Sequence, residues 1–178
     1  MSDAQAVKQL YARIRDVPNF PKPGVMFKDI TPLLLDAALF RRAVELMAAP
    51  FRAFGVSRVI SIESRGFLLG APIALALEAG LVPIRKPGKL PAERGRVEYA
   101  LEYGTDALEM HRDAVGAADR VLIVDDVLAT GGTAGAAAQL VRDHHAELVG
   151  FTFLIELDFL KGREKLSGER VEALLHYA

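Results

Sequence analysis

Apolar residues recur at three- and four-residue steps from Ala4 to Ile14, with Val7, Leu10, Tyr11 and Ile14 on one face, so the chain opens with an amphipathic helix ending before Pro18. Pro18, Pro21, Pro23, Gly24 and Pro32 break both regular periods, and Pro18 to Pro32 reads as an ordered loop. Asp36 stands where an N-cap belongs, ahead of Leu39, Phe40, Ala43, Val44, Leu46 and Met47, which predicts a helix to about Phe54 with Gly55 as its stop. Arg58 to Ile62 reads as a short strand, Phe67 to Glu78 as an apolar helix after Gly66, and Val82 to Arg85 as a second strand.

Lys86 to Arg96 is a loop rich in charge, glycine and proline, and it leads into the alternating residues Val97, Tyr99, Leu101 and Tyr103. With a further strand at Ala107 to His111, this predicts a two-stranded arm protruding beside the sheet. Val121 to Val124 is a buried parallel-type strand, Gly131 to His145 a loop entering an alanine-rich helix, and Leu148 to Leu157 another strand. The alternation argues for an α/β fold, a doubly wound parallel sheet with helices on both faces.

Bulk properties narrow the function. At 178 residues, about half of them apolar, the chain suits one domain, 1–178. A formal net charge of -1 gives no support to a nucleic-acid or membrane surface, so any anion site must be local. The absence of cysteine excludes disulfides and thiolate chemistry and fits a reducing compartment, with the cytoplasm as the expected location. No segment approaches the length and apolarity of a membrane span. His111, His144 and His145 show no metal-ligand spacing with acids.

The most informative segment runs from Val121 to Thr133, where a strand leads into Asp125 and Asp126 and then into Ala129-Thr130-Gly131-Gly132-Thr133 opening a helix. A helix N-terminus presents unpaired N–H groups, Gly131 and Gly132 let the backbone approach phosphate oxygens, and Thr130 and Thr133 add hydroxyls. Asp125 and Asp126 are acceptors for a sugar diol just upstream. A plain strand-to-helix turn would account for the glycines alone. Acids and turn together, at the carboxyl end of a parallel strand, point instead to a ribose 5-phosphate. Neither a P-loop Gly-Lys-Ser/Thr nor a Gly-x-Gly-x-x-Gly is present.

This segment resembles the phosphoribosyl pyrophosphate (PRPP) motif of type I phosphoribosyltransferases. Five more segments, Phe20 to Pro32, Glu63 to Phe67, Ile84 to Pro91, Leu101 to Gly104 and Leu160 to Leu166, resemble the adenine phosphoribosyltransferase family. The resemblance implies Mg-dependent transfer of a 5-phosphoribosyl group from PRPP to adenine in purine salvage, giving AMP and pyrophosphate. It also implies Mg2+ carried on PRPP near Asp125 and Asp126 with no direct protein ligand, a homodimer, and a small hood formed mainly by residues 1–34 and the C-terminal segment.

The resemblance further assigns roles by position. Ser64 and Arg65 hold pyrophosphate, with a cis peptide between Glu63 and Ser64, and Lys86 and Lys89 reach for the same group. Glu102 is the base that takes the purine proton, and Tyr103 rides beside it on a lid. Ala129 stands where relatives acting on 6-oxopurines carry a second acid. Val25, Met26, Phe27, Lys28 and Leu157 form the adenine site, with Met26 and Lys28 acting through their backbone. Phe27 and Leu157 also fit a plain core role; Arg94, Arg96 and the run Lys161 to Lys165 also fit solvated charge. A rival reading keeps the fold as a PRPP sensor without catalysis, and a second prefers another purine base.

Overall fold

The computed structural model describes residues 2–100 and 104–178. Helix α1 spans Asp3–Tyr11, with the Ser2 hydroxyl accepting from the Gln5 N–H at 3.3 Å. Strands β1, Arg15–Pro18, and β2, Met26–Asp29, pair antiparallel, so the proline-rich stretch expected to be irregular contains one strand of a hairpin. The prolines sit at or between its strand ends, where no ladder N–H is needed, and side chains hold it: Arg15 pairs with Asp29 and Lys28 with Asp16, at 2.5 and 2.6 Å. Hydrogen bonds from the Thr31 hydroxyl, the Thr31 N–H and Arg15 hold the Asp29 carboxyl down at about 2.

After the short helix α2, Thr31–Leu34, helix α3 spans Ala37–Ala48, and the Asp36 carboxylate accepts from the Leu39 N–H at 3.1 Å as its N-cap. The expected helix to Phe54 changes character at Pro50, which cannot supply an α-helical N–H; residues Ala49–Phe54 wind as a 3-10 helix and stop at Gly55, φ +61°.

The central sheet has five parallel strands in the order β4-β3-β7-β8-β9: Gly80–Ile84, Arg58–Ile62, Arg120–Leu128, Glu147–Leu157 and Val171–Tyr177. The last of these was not foreseen, since its seven residues carry no strong apolar run; it forms by pairing with β8. Period-2 alternation sorts β7 between two cores. Leu122 and Val124 join one with α3 and α4 (Gly66–Ala76), while Val121 and Ile123 join the other with α5 (Gly132–Asp143). The doubly wound α/β expectation is met.

The arm pairs β5, Arg94–Ala100, with β6, Thr105–His111. It protrudes less than expected: Ala107 to Met110 are buried, Leu108 and Met110 within the α5 core, and Arg85 bridges to Glu109. Because β5 starts at Arg94, the long loop shrinks to residues 85–93, and it is tied down. The Glu109 carboxylate, buried, pairs with Arg94 at 3.0 Å and accepts the Gly88 N–H at 2.9 Å. Arg94 is therefore an internal anchor, while Arg96 pairs with Glu98 at the surface.

The N-cap contact gives a direct check. Asp36→Ala removes the acceptor for Leu39 N–H and should cost about 1 kcal/mol in urea unfolding while leaving activity unchanged.

Candidate active site

Strand β7 runs four residues past the predicted end, to Leu128, so Asp125 and Asp126 lie within it. Asp125, Asp126, Val127 and Ala129 line a cavity of about 550 Å3 with Phe27, Glu63, Ser64, Arg65, Lys86 and Thr133. A smaller cleft of about 70 Å3 continues from it along Ala129, Thr130, Gly131, Gly132, Thr133 and Phe153.

The turn into α5 has the shape an anion needs. Gly131 sits at the N-cap with φ +77°, a conformation open to glycine, no side chain caps the helix, and its first turn lines the cleft. Its backbone is pressed from behind by Gly162 in a 3-10 turn, Gly162–Leu166. A Cβ on Gly131 would overlap the Gly162 carbonyl oxygen, and a Cβ on Gly162 would overlap the Ala129 carbonyl oxygen. The Lys161–Lys165 run, which could pass for solvated charge, thus contains the buttress of the turn.

Two acids and one arginine define the middle of the cavity. Asp126 is buried, and its Oδ2 lies 2.7 Å from Arg65 Nε without hydrogen-bond geometry, leaving an acceptor unsatisfied. Asp125 Oδ1 accepts the Asp126 N–H at 2.9 Å and abuts Gly66, where a Cβ would come within 2.8 Å of it. Burial pushes the Asp125 carboxyl well up, and the neighbouring Asp126 charge adds to the rise. Burial also raises Asp126, against the opposing pull of Arg65. The Arg65 guanidinium in turn stacks over Phe27, 4.7 Å from the ring centroid, joining β2 to the strand-end acids.

The Glu63–Ser64 peptide is cis. Glu63 gathers three neighbours: Arg85 at 3.1 Å, the Lys86 N–H at 3.0 Å, and Lys89. Burial works to raise its carboxyl, but the bonds from Lys89, the Lys86 backbone and Arg85 win and bring it from 4.5 to about 2. The Lys86 ammonium is held by Asp106 and by the Tyr99 hydroxyl at 3.0 Å, and Thr133 donates to that hydroxyl at 3.3 Å. Lys86 and Lys89 are therefore paired with acids, and of the two only Lys86 lines the cavity.

Of the expected base-site residues, Phe27 reaches the cavity wall; Met26 is exposed and Val25 half-buried. The Lys28 side chain turns away to Asp16 and lies 3.9 Å over the Tyr177 ring, which leaves only its backbone for recognition. Leu157 ends β8 and packs against the α3/α4 core. Glu102 and Tyr103 lie outside the described residues. Val127 and Phe153 were not foreseen, and of Glu63, expected only as part of the pyrophosphate turn, the side-chain pairing was not.

With this geometry in hand, comparison with known proteins is decisive. The family described as Phosphoribosyl transferase domain matches residues 39–171. Adenine phosphoribosyltransferase of Myxococcus xanthus is 59% identical over 177 residues, 99% of this chain and 96% of the relative. This chain belongs to the adenine phosphoribosyltransferase family. The Halothermothrix orenii member is 55% identical over 91% of this chain and 95% of its own length. Among solved structures, the Rhodothermus marinus adenine phosphoribosyltransferase superposes with a TM-score of 0.94 at 50% identity, covering 98% of this chain and 99% of its own. The Saccharomyces cerevisiae enzyme, complexed with an imino-altritol bisphosphate and adenine, gives 0.90 at 42%, covering 97% and 99%.

Two outcomes follow for this phosphoribosyltransferase. Gly162→Ala should displace the Ala129–Gly131 backbone and lower kcat/KM on the order of a hundredfold with little change in far-ultraviolet circular dichroism. Because the folded Glu63 carboxyl sits below its ordinary value, its pairing stabilises the fold fully above about pH 4.5 and is lost as pH falls toward 2. The gap in urea midpoint between wild type and Glu63→Gln should therefore close over that interval.

Proposed function

We infer that this chain is an adenine phosphoribosyltransferase, a pentosyltransferase of purine salvage that moves the 5-phosphoribosyl group of PRPP to adenine and yields AMP and pyrophosphate. The observation that carries this reading is a pair of adjoining cavities, sharing Asp125, Val127, Ala129 and Thr133, that bring together an uncapped Gly-Gly-Thr helix start, the Asp125–Asp126 pair and Arg65, in a chain 59% identical to a family member across nearly its whole length.

In this reading the turn Ala129 to Thr133 takes the 5-phosphate through N–H groups and hydroxyls. Asp125 and Asp126 accept the ribose diol, and Asp126 Oδ2 has the free acceptor capacity to do so. Ser64 and Arg65 take the pyrophosphate; Lys86 and Lys89 join them by leaving Asp106 and Glu63. Adenine stacks on Phe27, with Val25, Leu157 and the backbone of Met26 and Lys28 around it. The C1–O bond to pyrophosphate breaks as the purine nitrogen bonds to C1, and the purine proton passes to Glu102. The residues fit Mg2+ carried on PRPP, since Asp125 and Asp126 both line the cavity; such an ion would supply positive charge to the departing pyrophosphate. Holding and orienting the reactants and stabilising the charge on the leaving group are the protein's contribution.

The reading extends to residues 1–178 as one domain with the β1–β2 hairpin in the hood, to a homodimer, and to the cytoplasm. Helix α4 supports the dimer: it has no charged residue, yet Leu68 and Leu75 are 48% and 81% exposed, an apolar face that a second copy would cover. No described helix is long and apolar enough to cross a membrane. The cysteine-free sequence supports a reducing compartment.

Turnover with PRPP and Mg2+, offering adenine, hypoxanthine, guanine and xanthine separately, should give nucleotide from adenine alone. Product from a 6-oxopurine would overturn the base assignment, and PRPP binding without any product would favour the sensor. Asp126→Ala should raise KM for PRPP, whereas Glu102→Gln should lower kcat roughly a hundredfold with little change in PRPP affinity.

A further inference from the structure

The two ends of the cavity are unequal in charge. Arg65 and Lys86 line the end assigned to pyrophosphate, whereas no lysine or arginine lines the cleft around the Thr130–Thr133 turn, and the Asp125 carboxylate does. A phosphomonoester bears nearly two negative charges at neutral pH, so backbone N–H groups and two hydroxyls would have to hold it beside an acid.

One cation stands next to that turn. Lys165 belongs to the 3-10 helix whose Gly162 presses on Ala129. Its Cβ is 3.2 Å from where a Cβ on Gly131 would lie, and its ammonium is 3.9 Å from the corresponding point on Gly132, the first residue of α5. The side chain is exposed and makes no ion pair or hydrogen bond among the described residues, in contrast to Lys86 and Lys89, which are held by acids. The Gly162 contact fixes the root of the side chain against the turn, while the free ammonium can swing about its stem.

We infer that Lys165 supplies the side-chain cation for the 5-phosphate, completing a cradle that α5 and its glycines begin. This rests on the reading that the Thr130–Thr133 turn takes that phosphate. A lysine suits the position because a point charge on a flexible stem can follow the anion without demanding bidentate geometry. The C-terminal 3-10 turn then serves the site twice, through Gly162 as a support and through Lys165 as a ligand.

Calorimetric titration of the full chain with ribose 5-phosphate, and separately with pyrophosphate, tests the inference. Lys165→Met keeps the stem against Gly131 and removes the charge; it should weaken ribose 5-phosphate about tenfold and leave pyrophosphate unchanged. Lys165→Arg should retain most of the affinity. Thr133→Ala, measured in parallel, reports on the turn itself. Weakening by Thr133→Ala with wild-type affinity in Lys165→Met would overturn the role of Lys165 alone. No effect of either substitution on ribose 5-phosphate would overturn the location of the phosphate and the inference with it. Equal loss of both ligands in Lys165→Met would mean a structural role and would overturn it as well.

Discussion

Asp126 is carried out of water by a strand buried on both faces, and the Arg65 guanidinium 2.7 Å away is the cation that offsets its charge there. Removing a carboxylate from water without a partner costs several kcal/mol, so the pairing binds the end of β7 to the turn after β3. Arg65 also lies over Phe27, which brings the N-terminal hairpin to the same point. One guanidinium thereby joins three parts of the chain that are far apart in sequence, and the cavity is the space they leave between them.

Charge around that cavity is balanced by short-range pairing. Glu63 collects Arg85, Lys86 and Lys89, Asp106 holds Lys86, and Glu109 anchors Arg94 and Gly88. The loop 85–93 is consequently a braced element, and a chain with a net charge of -1 concentrates cations on one rim. The Lys86–Tyr99–Thr133 chain of hydrogen bonds ties the arm to both ends of the cavity. An anion competing for Lys86 would act on the same hydroxyl that Thr133 uses.

Close backbone contact governs the other end. Gly66 admits the Asp125 carboxylate, and Gly131 and Gly162 meet with no side chain between them. These glycines serve proximity, and of the three only Gly131 also adopts positive φ. Packing at this density leaves no room for a methyl group, so the shape of the turn is set from behind by a segment thirty residues downstream.

The amino-acid sequence alone determined the layered α/β architecture, because strands buried on both faces and helices with one or two apolar faces are periodic properties of local residues. It also determined the turn Ala129 to Thr133 and the acids before it, since glycine, threonine and aspartate at that spacing have few other uses. Tertiary structure alone decided what side chains do across space. It turned Lys28 away from the base site toward Asp16 and Tyr177, converted Arg94 from surface charge to an anchor, formed a hairpin across a proline-rich stretch and added β9 as a fifth strand. It also set Gly162 and Lys165 against the turn. Each of these depends on a partner remote in the chain, and the free energy of such a contact is absent from any local pattern.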